Sequence, residues 1–370
     1  LEPIRVLQVV TIMNRGGLET MLMNYYRRIN RERIQFDFIV HREEEGHYDQ
    51  EILDLGGRIY RMPSIRPGQY RTYFTKLESF FHEHQYVIVH SHINENSAFI
   101  LKIAKEAGVP CRIAHSHLSD LAIDYKFPFR IYARRVLKNQ PTTYFACSKR
   151  AGEWLFGKEI ATKDIKVLHN AVDVNKFAYD PLKRKNKREE LGVQGKYVIG
   201  HIGRFNRQKN HKFLIEVFKK VYQCNQHAVL VLVGDGSLKN NIVEKVRRAG
   251  IEEAVFFLGV RDDIPDLMLA FDLFLFPSLF EGLPVVLIEA QAAGLRCVVS
   301  DAITKQVNVT NRIDFFPLSR SPSQWSEHLL SVTGGHKDMS EQLRENQYDT
   351  YSMVDWLTGY YLAEANRQSV

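Results

Sequence analysis

Short apolar runs alternate with helical stretches along the whole chain. In the first half, Val6–Ile12, Phe36–Val40, Tyr86–His90, Arg112–His115 and Thr143–Cys147 read as strands. In the second half the same reading applies to Tyr197–Ile202, Ala228–Val233, Val255–Leu258, Leu273–Pro277 and Cys297–Ser300. Two successive strand–helix series predict an α/β protein with two doubly wound parallel sheets, each covered by helices on both faces. The break between the series falls at Ala178–Gly195. There the charged run Asp180–Arg188 has no strand character and predicts an exposed segment near a domain joint. The stretch Tyr348–Asn366 is helical and rich in aromatic residues.

Composition agrees with this division. At 370 residues the chain exceeds what one hydrophobic core usually serves, so two domains are expected. No run approaches the ~20 apolar residues of a membrane span. Leu1-Glu2-Pro3 leads straight into strand-like sequence without a signal-peptide pattern. Cys111, Cys147, Cys224 and Cys297 show no metal-ligand spacing, which predicts reduced thiols in a cytoplasmic protein.

The net charge of +7 belongs to the first half. Residues 1–170 carry 25 basic and 19 acidic side chains, against 25 and 24 in residues 171–370. The segment Lys126–Lys138 mixes cations with aromatic and aliphatic residues. It reads either as an amphipathic helix packed on its own domain, or as a peripheral contact with an anionic membrane or a lipid-diphosphate acceptor. No nucleic-acid-binding module accompanies the charge, so nucleic acid is not an expected partner.

The most informative chemistry lies between Ser278 and Glu289. A buried strand ends near Glu281, turns through Gly282-Leu283-Pro284 and enters a helix, with Glu289 about one and a half turns in. Pro284 suits the first helical position, where its missing N–H costs nothing. Ligands of open α/β sheets lie beyond the carboxyl ends of the strands, against helix amides. A helix cap at Glu281 and a surface position for Glu289 form the plainer alternative.

Other loops after strands carry weaker signals. Gly203-Arg204 through Lys209 offers a close backbone approach and two cations suited to a diphosphate, although surface cations after a strand are commonplace. Gly234-Asp235-Gly236 reads as an amide nest or a plain turn. Gly259-Val260-Arg261 follows another strand, and Asn14 to Glu19, with Gly16 and Gly17, opens a helix after the first. Two triplets, His90-Ser91-His92 and His115-Ser116-His117, end neighbouring strands. No carboxylate or cysteine ligand set surrounds them, so no metal site is expected, and His92 and at least one other read as structural histidines.

The spacing of Glu281 and Glu289, with the sequence around it from Glu281 to Asp301, resembles the Glu-x7-Glu signature of the retaining family 4 glycosyltransferases. The order of the other motifs follows that family over the whole chain, and within it the bacterial exopolysaccharide and capsule enzymes are most similar. The resemblance implies a GT-B fold, two Rossmann-like domains facing a central cleft. Residues 1–172 would form the acceptor-side domain, rejoined by a terminal helix at 350–370, and residues 173–349 the nucleotide-sugar domain. It further implies that Arg204 and Lys209 neutralise the departing diphosphate. Glu281 would face the donor sugar, and Glu289 would bind the ribose hydroxyls. Gly282 and Leu283 would offer amides, with Gly203, Gly234, Gly236, Gly16 and Gly17 bordering the donor, and Val260 and Arg261 near the base. One histidine, His117 or in the slipped register His115, would sit beside the sugar. Ala171 stands where the family carries a glycine, and the loop after Asp301 departs from the family's glycine-rich turn.

The resulting expectation is transfer of a hexosyl or N-acetylhexosaminyl group from a nucleotide-sugar, a UDP-sugar by family frequency, to a saccharide or polyprenyl-diphosphate-linked acceptor. No metal or further cofactor is expected, and the place of action is cytoplasmic, at the inner face of the cell membrane. A non-hydrolysing sugar-nucleotide epimerase would release epimerised sugar without acceptor. A silent nucleotide-binding subunit would have no turnover to lose in Lys209→Ala. A nicotinamide oxidoreductase lacks its GxGxxG signature after every strand.

Overall fold

The computed structural model describes residues 2–66, 68–117 and 127–367. The chain divides into two compact units, Leu1–Ala171 with Thr350–Val370, and Val172–Asp349.

The first unit is built on a parallel sheet. Its strands are β1 (Ile4–Val9), β2 (Ile34–Val40), β3 (Ile59–Arg61), β4 (Ile88–Ser91), β5 (Cys111–Ser116), β6 (Thr143–Ala146) and β7 (Ile165–Val167). They lie side by side in the order β3-β2-β1-β4-β5-β6-β7. Alternate residues of β1 feed opposite cores, as a sheet covered on both faces requires. Val6 packs with Phe36, Tyr26 and Tyr361 on one face, and Leu7 packs with Ile39, Tyr73 and Leu77 on the other. The helix Thr350–Asn366 supplies Met353, Val354, Leu357 and Tyr361 to the first of these cores.

The second unit repeats the plan with β8 (Tyr197–Ile202), β9 (Ala228–Val233), β10 (Val255–Gly259), β11 (Leu273–Phe276), β12 (Cys297–Ser300) and β13 (Ile313–Phe316). Their order is β10-β9-β8-β11-β12-β13, again parallel. Every residue of β9 is buried, which explains its unbroken apolar sequence.

Three strands escape the apolar pattern: β3, β7 and β13. Each is the outermost strand at one end of its sheet, three or four residues long and mostly half-buried. Such edges need little apolar sequence and leave little signal. The charged run after Ala178 is mostly exposed, as expected, but it is helical. It forms the helix Pro181–Glu190, capped by Asp180, whose side chain accepts from the amides of Leu182 and Lys183. Arg184 and Arg188 both reach Asp272, at 2.5 and 3.0 Å, so the charges bind this helix to its own unit. Ala171 is not among the residues of positive φ, so its replacement of glycine needs no left-handed backbone. Cys111, Cys147 and Cys297 are buried free thiols, and Cys224 is exposed.

Of the basic segment, Lys126 lies outside the described residues. The helix Phe127–Leu137 packs Ala133 and Leu137 into its unit's core and leaves Tyr132 58% exposed. No described helix is long and apolar enough to cross a membrane.

In each sheet the strand order reverses direction once, between β1 and β4 and between β8 and β11. Loops leaving adjacent strands there diverge to opposite faces and open a crevice.

Candidate functional site

In the second unit, the loops after β8 and β11 meet at this reversal. Lys209 Nζ lies 2.7 Å from Glu281 Oε1, with both side chains largely buried. Gln208 Nε2 donates to the other oxygen of Glu281 at 3.0 Å and to the carbonyl of Phe280 at 3.1 Å. The Lys209 ammonium also sits 4.4 Å from the centre of the Phe276 ring at the end of β11. Lysine and carboxylate 72 residues apart are thus fixed against one another. The backbone adds to the join, since Leu279 N donates to Gln208 O at 2.8 Å.

Asn210 ends the first loop in the left-handed conformation, φ 54°, and its Nδ2 donates to Pro277 O. Asparagine tolerates that geometry better than most residues, and it opens the helix His211–Cys224. Gly203 passes so close to the Lys209 stem that a Cβ there would lie 3.2 Å from Cδ and Cε. Arg204 is exposed on the same loop.

Two further loops are stitched to this one. Gly203 N donates to Val233 O, Phe205 N to Asp235 O, and Gly234 N to Gly259 O. Gly234 has φ 129° and would drive a Cβ into the Gly203 carbonyl, while one on Gly236 would lie 2.6 Å from Phe205 O. The Gly236 amide donates to its neighbour's Asp235 Oδ1. Both glycine amides are therefore occupied within the protein. This segment is a tight turn required by close packing, not a nest of open amides. Val260 is 53% exposed beside it. Arg261 is held by Asp263 at 2.6 Å and Glu190 at 3.3 Å.

The helix after Glu281 spans Val285–Ala292. Pro284 precedes it as the N-cap, so the first helical position falls one residue later than the sequence suggests. Leu283 is buried, and Gly282 is half-buried. Glu289 is the fifth helical residue, and among the described residues its carboxylate has no hydrogen-bond partner. Burial pushes its pKa up to about 7. Such a group is costly to fold and well suited to accept hydrogen bonds from a diol.

In the first unit, Gly16 caps the helix Gly17–Tyr26, and the Glu19 carboxylate folds over it where a Cβ would stand. The two His-Ser-His triplets converge. His90 and His115 join through Nε2 and Nδ1 at 3.1 Å, and His92 and His117 through Nδ1 and Nε2 at 3.0 Å. Gln8 and Tyr361 hold the far ends. Burial keeps His90, His92 and His115 far below the usual imidazole range and pushes His117 down to about 3. His115 is fully buried within β5, whereas His117 lies beyond the strand and is partly exposed. His117 is thus the member able to touch a ligand. His90, His92 and His115 bring ring nitrogens within 4.8 Å of one another, near enough to share a cation. The facing nitrogens are instead engaged in the His–His hydrogen bonds, and no carboxylate belongs to the group to offset a buried divalent charge.

Several residues that shape these sites escape sequence reading. Gln208 sits unremarked beside Lys209, and Gln8 is a polar interruption within an apolar strand, the one available signal. Tyr361 has none, because its partner His90 lies 271 residues away.

Comparison with known proteins agrees with this arrangement. Residues 15–176 match the family description Glycosyltransferase Family 4, and residues 183–349 match Glycosyl transferases group 1. EpsF of Bacillus subtilis (strain 168), named as a glycosyltransferase, is 35% identical over 96% of each chain. The capsular polysaccharide biosynthesis glycosyltransferase CapH of Staphylococcus aureus is 26% identical over 91% of this chain and 93% of that protein. Among solved structures, HepE of Anabaena in complex with UDP and glucose superposes with a TM-score of 0.78, at 19% identity, over 97% of this chain and 99% of that one. The two units are accordingly the two Rossmann-like domains of the GT-B architecture. The chain belongs to the family 4 glycosyltransferases, related to bacterial exopolysaccharide and capsule enzymes, and is a transferase.

Proposed function

We propose that this protein transfers a hexosyl or N-acetylhexosaminyl group from a UDP-sugar to a saccharide or polyprenyl-diphosphate-linked acceptor, with retention of anomeric configuration. The Lys209–Glu281 contact at the strand-order reversal carries this reading, because it sets a cation and a carboxylate together where a diphosphate and its sugar would lie. Arg204 and Lys209 would stabilise the departing diphosphate. Their charge would serve in place of a metal ion. Glu289 would accept from the ribose hydroxyls, the Gly282 and Leu283 amides would meet the sugar or phosphate, and Val260 and Arg261 would border the base. Gly203, Gly234 and Gly236 would let the loops close around the nucleotide, with Gly16 and Gly17 on the acceptor side and His117 beside the transferred sugar. The leaving diphosphate would take the acceptor proton on the same face.

Two relatives support the donor and acceptor classes. HepE was solved with UDP and glucose. A 31% identical Escherichia coli relative, matched over 63% of this chain and 62% of that protein, is named a UDP-Gal:α-D-GlcNAc-diphosphoundecaprenol α-1,3-galactosyltransferase. On this reading the enzyme acts in the cytoplasm at the inner face of the membrane, with the helix Phe127–Leu137 as its contact, in synthesis of exopolysaccharide or cell-surface glycan. The test is turnover of a panel of UDP-sugars with a diphosphate-lipid acceptor, with the product's anomeric proton coupling read by NMR. An α-linked product from an α-linked donor is expected. An inverted product, or epimerised donor formed without acceptor, overturns it.

A further inference from the structure

Five hydrogen bonds in the first unit, four of them buried, form one network through the side-chain amide of Gln8 on β1. Its Oε1 lies 2.8 Å from His92 Nε2, and its Nε2 lies 3.3 Å from the Tyr361 hydroxyl. The structure places the amide nitrogen on the hydroxyl, where it donates, and the amide oxygen on the imidazole, where it accepts. The polarity of everything beyond the amide follows from which atoms can donate.

An oxygen at Gln8 Oε1 requires a proton on His92 Nε2. A neutral His92 then has a bare Nδ1, which must accept from His117 Nε2–H at 3.0 Å. With its proton committed inward, a neutral His117 carries a lone pair on Nδ1, and the residue as a whole is partly exposed. The His117 backbone is fixed as well, since its amide donates to Asn94 Oδ1 at 3.0 Å. On the other branch Tyr361 donates to His90 Nδ1 at 2.7 Å, and His90 Nε2 donates to His115 Nδ1 at 3.1 Å. That branch ends at His115 Nε2, which is buried and has no partner among the described residues. Only the His92 branch leads toward the surface.

We infer that Gln8 and His92 are positioning residues that hold His117 in the Nε2–H tautomer, so that its Nδ1 accepts a hydrogen bond from a hydroxyl of the transferred sugar. The role of His117 rests on the reading proposed above, while the tautomer does not. A ring free to choose either tautomer would present a donor part of the time and lose selectivity for a hydroxyl placed to donate. Gln8 thus acts on the sugar from two residues away.

The test uses the full chain labelled with 15N-histidine, with long-range proton–nitrogen spectra at pH 7.5 and His117 assigned by its loss in His117→Asn. Protonated Nε2 and bare Nδ1 are expected at both His92 and His117. A protonated Nδ1 at His117, or an averaged signal, overturns the inference. Gln8→Glu places a carboxylate against His92, makes it an imidazolium, and should invert the His117 tautomer while lowering kcat/KM for the donor at least tenfold. Should that variant fail to fold, His92→Asn and His92→Leu serve instead. The asparagine oxygen can replace Nδ1 as acceptor, so His92→Asn should retain at least ten times the turnover of His92→Leu and preserve the tautomer. Equal turnover in the two, with both folded, overturns the inference. His117→Ala with undiminished turnover sinks the assigned role of His117 and leaves the tautomer result standing, which separates the two failures.

Discussion

Glu289 carries a folding cost that the binding role proposed for it would explain. Its carboxyl is raised by burial to about 7, against an ordinary value of 4.5. A group that binds its proton more tightly when folded removes stability as pH rises from 4.5 to 7, and the full cost persists above 7. Glu289→Gln should therefore raise the stability of the unliganded protein at pH 8, by roughly 2 kcal/mol, and leave it unchanged at pH 4.5. Denaturant titrations at the two pH values check this, and an equal effect at both would refute the burial argument. Lys209 and Glu281 were singled out through their match to the family's motifs, because a cation in a loop after a strand is commonplace on its own. Their direct ion pair was not, since spacing along the chain says nothing about which carboxylate a lysine meets across a sheet. Glu281 therefore faces Lys209 and Gln208 in the folded chain, a partnership its motif left unstated.

Among elements, the helix Pro181–Glu190 departs furthest from its sequence signal. Ten residues with only Lys187 buried give no amphipathic stripe, yet Asp180 caps the helix and Asp272 gathers two arginines onto it. Asp272 also accepts from Val198 N at 2.8 Å, tying the start of β8 to the same carboxylate. Asp272→Ala would remove the carboxylate shared by Arg184 and Arg188, leaving them their backbone carbonyl acceptors, and would take the side-chain acceptor from the Val198 amide, so a loss of roughly 2–3 kcal/mol is expected. Urea denaturation of the variant measures it, and a loss below 0.5 kcal/mol, the range of ordinary surface changes, would contradict the account. The central strands were legible for the opposite reason, since burial on both faces demands continuous apolar sequence. The edge strands β3, β7 and β13 were hidden by their short length and single pairing partner.

At the scale of the molecule, both units bury neutral histidines. Burial lowers the pKa of His41, His90, His92, His115 and His117 in the first unit and of His201 and His211 in the second. A histidine whose folded pKa lies below 6.5 leaves stability intact at higher pH and removes it as pH falls below 6.5, because the unfolded chain takes up the protons first. Each contributes up to about 1.4 kcal/mol per pH unit, and together they outweigh the opposing gain from Glu289. The unfolding midpoint should therefore fall steeply between pH 6.5 and 5 in a thermal scan, and a flat profile would contradict the buried neutral cluster. The central proposal concerns the second unit, where a cationic clamp and the half-buried Glu289 would divide one nucleotide between them. Calorimetric titration of UDP and of inorganic diphosphate into the wild type, Lys209→Ala and Glu289→Gln tests it most directly. Lys209→Ala should weaken both ligands at least tenfold, and Glu289→Gln should weaken UDP alone. Undiminished UDP binding in both variants, or equal loss of diphosphate in Glu289→Gln, would contradict the account.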